Sequence, residues 1–214
     1  ADMSKHTVFV EAPPFAKFSD AEMRRLLDDE RLEVLDWRGK RVNTPGFVEA
    51  LATADIAVTG NSLTITDELL EVIARQPKIC KYLDIPLQHA SGNILKRMNR
   101  RFDRQSLTAL MAHIRARVPG ITLRTTLITG FPGESEADFA ELCEFVKEVR
   151  FDRLGCFAYS AEDGTPAAEF PDQIDEELRR HRADLVMELQ MGIAAGLAHK
   201  KIGRSLETLV EGFD

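Results

Sequence analysis

Residues 127–134 read Leu-Ile-Thr-Gly-Phe-Pro-Gly-Glu. An apolar run stops at Gly130, turns through Phe131, Pro132 and Gly133, and meets Glu134 just before the helical pattern SEADFAELCEFVKEV at 135–149. A strand ending at a glycine and followed at once by a capped helix is the βα turn of a parallel α/β domain. In such domains ligands sit at the carboxyl ends of the strands. Gly130 lets backbone approach a ligand closely, and Gly133 can adopt a positive φ. The next helix presents unpaired N–H groups that attract an anion or the polar part of a cofactor. Ser135, Glu136 and Asp138 also suit a plain tight turn with a good cap, so the letters alone leave both readings open.

The pattern repeats on both sides of that turn. Strands are predicted at HTVFVEA (6–12), RLEVLDW (31–37), DIAVTG (55–60), KYLDIPLQHA (81–90), TLRTTLITG (122–130) and RLGCFAYS (153–160). Helices are predicted at 19–30, 44–54 (Thr44 as cap, Pro45 at the first position), 66–76, twice within 91–118, at 135–149, and as one long helix over 175–203. A strand-like stub follows at 205–213. Leu178, Leu185, Leu189 and Ile193 form the apolar stripe expected to dock the long helix.

Six short apolar strands alternating with helices predict an α/β fold with a parallel sheet. Two architectures fit: a doubly wound, flavodoxin-like open sheet ordered 2-1-3-4-5-6, and a six-stranded partial TIM-like barrel. The nearly continuous apolar character of the first strand suits an interior position, and the polar RLEVLDW suits an edge. Those roles favour the open sheet.

With 214 residues the chain has room for one substantial core. Its net charge of −7 argues against broad nucleic-acid binding, although a local basic patch is compatible with it. No apolar run approaches the roughly 18–20 residues needed to span a membrane. Cys80, Cys143 and Cys156 lie far apart, without CxxC spacing, and are expected to be buried or half-buried thiols in a reducing compartment. The expected location is cytoplasmic, with no membrane and no nucleic-acid partner. Composition leaves the oligomeric state open. His89 has no second His or Cys at ligand spacing and is expected to be structural.

From about Leu69 onward the chain resembles the second half of a radical S-adenosylmethionine methylthiotransferase core, in the branch that modifies a ribosomal protein. The stretches that carry the resemblance are KYLDIPLQHAS (81–91), LRTTLITGFPGE (123–134), FDRLGCFAYSAEDGTPA (151–167) and KIGRSLETLVEG (201–212). The resemblance implies that Gln88 faces the cofactor and Arg124 approaches its amino-acid end. It also implies that Ile128 and Gly130 pack near the adenine, and that Phe157 to Tyr159 form a wall of the site.

Such enzymes hold a [4Fe–4S] cluster on a CxxxCxxC loop after the first strand. Here that loop reads APPFAKFSD, where only Ser19 and Asp20 offer ligating side chains. Residues 1–68 resemble instead the opening of a D-2-hydroxyacid dehydrogenase, through ADIAVTGNSLTITDELL, although no GxGxxG is present. The organisation expected from these resemblances is 1–68 as a βαβαβα half, 69–174 as a βα half and 175–214 as a long helix plus truncated strand, in one continuous domain. The expected function is correspondingly negative: a recombined or engineered chimera without catalytic residues. No metal, no iron–sulfur cluster and at most weak S-adenosylmethionine binding are expected. The alternatives are an incomplete methylthiotransferase core and a small-ligand or anion-binding module at the strand ends.

Overall fold

The computed structural model describes residues 5–10, 28–37, 44–54, 56–58 (backbone only) and 65–205. The helix expected over 19–30 (in all but its last residues), the loop APPFAKFSD and the stub at 205–213 (beyond its first residue) lie outside the described residues. The chain divides into two compact units, residues 1–81 with 114–120 and residues 82–113 with 121–214.

In the first unit β1 (His6–Val10) is the middle strand of a parallel sheet. It pairs with β2 (Leu32–Asp36) from His6 opposite Leu32 to Val10 opposite Asp36, and with β3 (Ile56–Val58) from Val8 opposite Ile56. Val8, Phe9 and Val10 are buried, as the apolar run demands. Phe9, Trp37 and Phe47 form an aromatic trio with ring centroids 5.3–5.9 Å apart. Phe47 comes from α1 (Pro45–Thr53), which starts as its sequence requires: the Thr44 hydroxyl accepts the Phe47 N–H at 3.3 Å, and Pro45 takes the first turn. Thr66 caps α2 (Asp67–Arg75) in the same way and its acids lie in the first turn; Leu69, Leu70 and Ile73 are buried.

The second unit holds β4 (Tyr82–Asp84), β5 (Thr122–Thr129) and β6 (Arg153–Ala158), all parallel, with β5 in the middle. Along β5 the residues Leu123, Thr125, Leu127 and Thr129 are buried, while Arg124, Thr126 and Ile128 share the opposite, more open face. Short α3 (Gly92–Arg97) and α4 (Arg104–Arg117) follow β4. α5 (Glu136–Val149) follows β5, and α6 (Glu176–His199) packs along β6 and β5 and against α5.

The α/β class, the parallel pairing and the open sheets match the expectation, and the orders 2-1-3 and 4-5-6 hold within the two sheets. No ladder joins β3 to β4 among the described residues, and neither sheet closes into a barrel. Two expectations need correction. The fourth strand is three residues long, not ten, because Pro86 supplies no N–H to a ladder. The long helix does not dock through Leu178 and Leu185, which are 38% and 39% exposed. Its buried face runs instead through Arg182, Ala183, Val186, Gln190 and Ile193. Arg182 and Gln190 can lie inside because each meets a buried acceptor: Glu134 for the guanidinium and the Phe151 carbonyl for the amide.

Candidate functional site

The site begins where the β4–β5 ladder breaks. Beyond Asp84, Ile85 N–H still donates to Arg124 O at 2.9 Å. At the Pro86 gap the Thr125 hydroxyl takes over, donating to Ile85 O at 2.8 Å and accepting from Leu87 N–H at 3.3 Å. Gln88 then rejoins β5: its N–H donates to Thr126 O at 2.9 Å and its carbonyl accepts from Ile128 N–H at 2.7 Å. To do so Gln88 takes φ +73°, a left-handed conformation that costs a non-glycine residue roughly 1–2 kcal/mol. Its side-chain Oε1 is buried and has no hydrogen-bond partner. A strained backbone carrying an unsatisfied buried acceptor points to a ligand.

The turn Gly130–Glu134 is held from inside. Glu134, 4% exposed, folds back so that Oε2 accepts the Gly130 N–H at 2.9 Å. The same oxygen lies 3.2 Å from His89 Nε2, while Arg182 Nη1 donates to Glu134 Oε1 at 2.7 Å. His89 Nδ1 accepts the Ser91 N–H at 3.0 Å, which leaves Nε2 as the protonated nitrogen facing Glu134. His89 is therefore a satisfied structural histidine, as expected.

Beside this cluster Ser91 Oγ donates to Asp138 Oδ1 at 2.6 Å, and Ser135 and Asp138 close a capping box on α5. Burial works to raise the Asp138 carboxyl, but bonds from Ser135 and Ser91 outweigh it and hold the group below its ordinary range. Gly130 has φ +70°, and a Cβ there would lie 2.1 Å from Arg179 Cγ. Gly133 has φ +83°, and a Cβ would lie 2.5 Å from Asp172 Oδ2. Gly130 is required by backbone and by space, and Gly133 by its backbone.

On the open face of β5 two adjoining cavities form a groove. One, of about 460 Å³, is lined by Gln88, Thr126, Ile128 and Phe157 to Ser160. The other, of about 470 Å³, adds Arg97, Arg100, Phe131 and Phe170 to Gln88, Ile128 and Tyr159. The Tyr159 hydroxyl is buried and unpartnered like Gln88 Oε1. Its ring stacks edge-on against Phe131 at 5.2 Å, and its carbonyl accepts from Arg179 at 2.8 Å. A ligand with a flat apolar part for Ile128 and Phe157, and polar groups for Gln88 and Tyr159, fits this lining. S-adenosylmethionine has that composition.

The three cysteines do not fit as iron–sulfur ligands. Cys80 is exposed, and Cys143 and Cys156 are half-buried. Burial pushes the Cys156 thiol up to about 12 and raises that of Cys143. No three His, Cys, Asp or Glu side chains converge as a metal site among the described residues.

Of the residues singled out from sequence, Gln88, Ile128, Phe157 and Tyr159 line the groove, and Gly130 forms the turn beside it. Arg124 is half-exposed and ion-paired with Asp84, its register partner on β4; it shares the face of Ile128 without lining the groove. Thr126 was missed, although it alternates with Arg124 and Ile128 at the period of a strand. Glu134 and Arg182 were missed as a pair. Glu134 closes the quoted stretch, but nothing local shows that its partner lies 48 residues on.

A family model described as the radical SAM superfamily matches residues 19–146, more than half of the chain. Ribosomal protein uS12 methylthiotransferases are among its relatives. That of Anaeromyxobacter sp. (strain Fw109-5) is 53% identical over 148 residues, covering 69% of this chain and 32% of the relative. That of Clostridioides difficile (strain 630) is 50% identical over 148 residues, covering 69% and 33%. The chain thus spans about a third of the length of the curated relatives it matches.

Among solved structures, coproporphyrinogen III oxidase of Escherichia coli, a radical SAM enzyme, superposes with TM-score 0.55 at 17% identity. The superposition covers 89% of this chain and 54% of that one, and it speaks to fold alone. These matches overturn the expectation of a non-catalytic chimera, and the dehydrogenase resemblance finds no support in them. They also overturn the expectation of no cluster and at most weak S-adenosylmethionine binding, because the matched superfamily is built around that cofactor and an iron–sulfur cluster. No helix among the described residues is long and apolar enough to cross a membrane. On the family match and the half-identical relatives together, the chain belongs to the radical S-adenosylmethionine superfamily.

Proposed function

We propose that this chain carries the S-adenosylmethionine-facing part of a methylthiotransferase core whose substrate is a ribosomal protein. The observation that carries the reading is the groove at the ends of β4, β5 and β6, where buried Gln88 Oε1 and Tyr159 Oη lack partners beside the apolar surface of Ile128 and Phe157. In this reading Ile128 and Phe157 take the adenine, Gln88 and Tyr159 take polar groups of the nucleoside, and Gly130 keeps the turn close. Arg124 stands toward the amino-acid end once its pair with Asp84 opens. Given one electron from an iron–sulfur cluster, which the described residues do not ligate, the bound cofactor would supply hydrogen-abstraction chemistry. The chain's own residues bind it, orient it and exclude water on one side.

The relatives support this choice of substrate: they are named for uS12 and are about half identical over the matched residues. Such a substrate is met in the cytoplasm. Residues 69–174 supply the groove on this reading, and the helix from 175 braces its turn.

Calorimetric titration of the full chain with S-adenosylmethionine tests the proposal. Saturable one-to-one binding is expected. In Gln88→Asn, which keeps an amide and tolerates left-handed backbone, binding weakens about tenfold, the loss of one hydrogen bond to a buried group. Undetectable binding, or equal binding by the variant, would refute it.

A further inference from the structure

Residues 96–104 read Lys-Arg-Met-Asn-Arg-Arg-Phe-Asp-Arg, a strongly basic run in a chain of net charge −7. Two of its cations are engaged: Arg97 pairs with Asp172 at 2.6 Å and Arg104 with Glu148 at 2.8 Å. Its one acid is spent locally, because Asp103 Oδ1 accepts from Ser106 N–H at 2.8 Å and from Ser106 Oγ at 2.6 Å. Lys96, Arg100 and Arg101 remain exposed, with no carboxylate partner among the described residues. Phe102 stands beside them at 51% exposure.

The backbone of this ridge is fixed. Met98 N–H donates to Ile94 O at 2.9 Å, Asn99 is left-handed at φ +57°, and Arg100 N–H donates back to Leu95 O at 2.8 Å. Arg100 and Arg101 lie just ahead of α4, whose first turn contains no acid. Positive charge suits the end of α3, where Lys96 and Arg97 fill the last turn, but opposes the start of α4, so the two helix dipoles together do not account for Arg100 and Arg101. Neither does burial account for Phe102.

We propose that the ridge 96–104 is a contact site for single-stranded RNA, with Lys96, Arg100 and Arg101 on phosphates and Phe102 stacked on a base. Unpaired cations interleaved with an exposed aromatic suit a nucleic-acid strand, whereas a merely acidic protein surface leaves the ring without a role. The site is local, so it stands against the whole-chain argument from net charge, and it does not depend on the methylthiotransferase reading. Arg100 also borders the groove, so a strand held on the ridge passes its mouth.

The test is fluorescence anisotropy of a fluorescein-labelled oligouridylate with the full chain. Neutralising three phosphates on a single strand gives a log–log salt slope of about −2, or roughly 15-fold weaker binding between about 50 and 200 mM salt. Arg100→Glu combined with Arg101→Glu is expected to weaken binding at least about tenfold. Phe102→Ala is expected to weaken it about fivefold. Circular dichroism and thermal melting establish that both variants fold. A labelled oligoglutamate of equal length is the competing arm. No saturable RNA binding at low salt, unchanged binding by the folded double variant, or oligoglutamate binding as tightly as RNA would each overturn the proposal.

Discussion

β1 and β5 are both the middle strand of a three-stranded parallel sheet and both units have apolar cores, yet the end of β5 adds a buried polar cluster that the described residues around β1 lack. Around β1 the work falls to apolar contact: Val8, Phe9 and Val10, and the Phe9, Trp37 and Phe47 rings. Around the end of β5 it falls to polar groups taken out of water: Glu134, His89, Arg182, Thr125, Thr129 and Asp138. Apolar packing is strong but has no direction. Hydrogen bonds have direction, and here they fix which way Gln88 and the Gly130 turn face. Apolar packing suffices to keep a unit folded. A unit that presents unsatisfied groups to a ligand needs hydrogen bonds as well, and it becomes sensitive to single substitutions.

The comparison breaks most visibly at Gly130. A valine there would force a β-branched residue into φ +70° and drive its Cβ into Arg179. Backbone strain and overlap together are expected to cost about 4 kcal/mol in denaturant unfolding. An unchanged midpoint would show that the turn is not built as described.

Next comes Arg182→Ala, which strips the buried Glu134 carboxylate of its cation and should cost about 3 kcal/mol. It should also loosen the Gln88 and Gly130 amides, read as faster hydrogen exchange there than in β1. Equal exchange in both strands would remove the directional role given to the cluster.

The helix caps give a smaller contrast. Thr44→Ala in the first unit is expected to cost about 1 kcal/mol. Ser135→Ala breaks a capping box whose Asp138 also holds Ser91, and should cost about 2 kcal/mol at neutral pH. Asp138 is held below its ordinary value of 3.8, so its contribution is present above that pH and is lost as pH falls through its lowered value. The Ser135→Ala deficit should therefore shrink in acid while the Thr44→Ala deficit stays constant. Parallel losses at all pH values would contradict this.

The thiols give the smallest effect. At about pH 8 a thiol with a pKa near 12 is about one part in ten thousand thiolate. Cys156 in the second unit should therefore be nearly inert to Ellman's reagent, while exposed Cys80 in the first reacts promptly. Fast reaction of both would mean that β6 is not covered as described.

Much of the architecture was legible because periodicity and caps are local. Residues 122–130, 135–149 and 153–160 were read within two residues of β5, α5 and β6, from a glycine stop, a serine cap and an apolar run. The groove residues Gln88, Ile128, Phe157 and Tyr159 were legible through resemblance. The α6 face was not, because hydropathy ranks Leu178 and Leu185 above Arg182 and Gln190. Only a partner distant in sequence, Glu134 or the Phe151 carbonyl, makes the polar pair the buried one. The family was legible from residue 69 onward, but the first-strand loop without thiolates pointed to a chimera without catalysis, an expectation that the family and relative matches overturn.

The most direct test of the second unit's role is a crystal structure of the full chain grown with S-adenosylmethionine. The adenine is expected against Ile128 and Phe157, with polar atoms of the nucleoside on Gln88 Oε1 and Tyr159 Oη. A cofactor bound elsewhere, or a groove left without it at saturating concentration, would contradict the account.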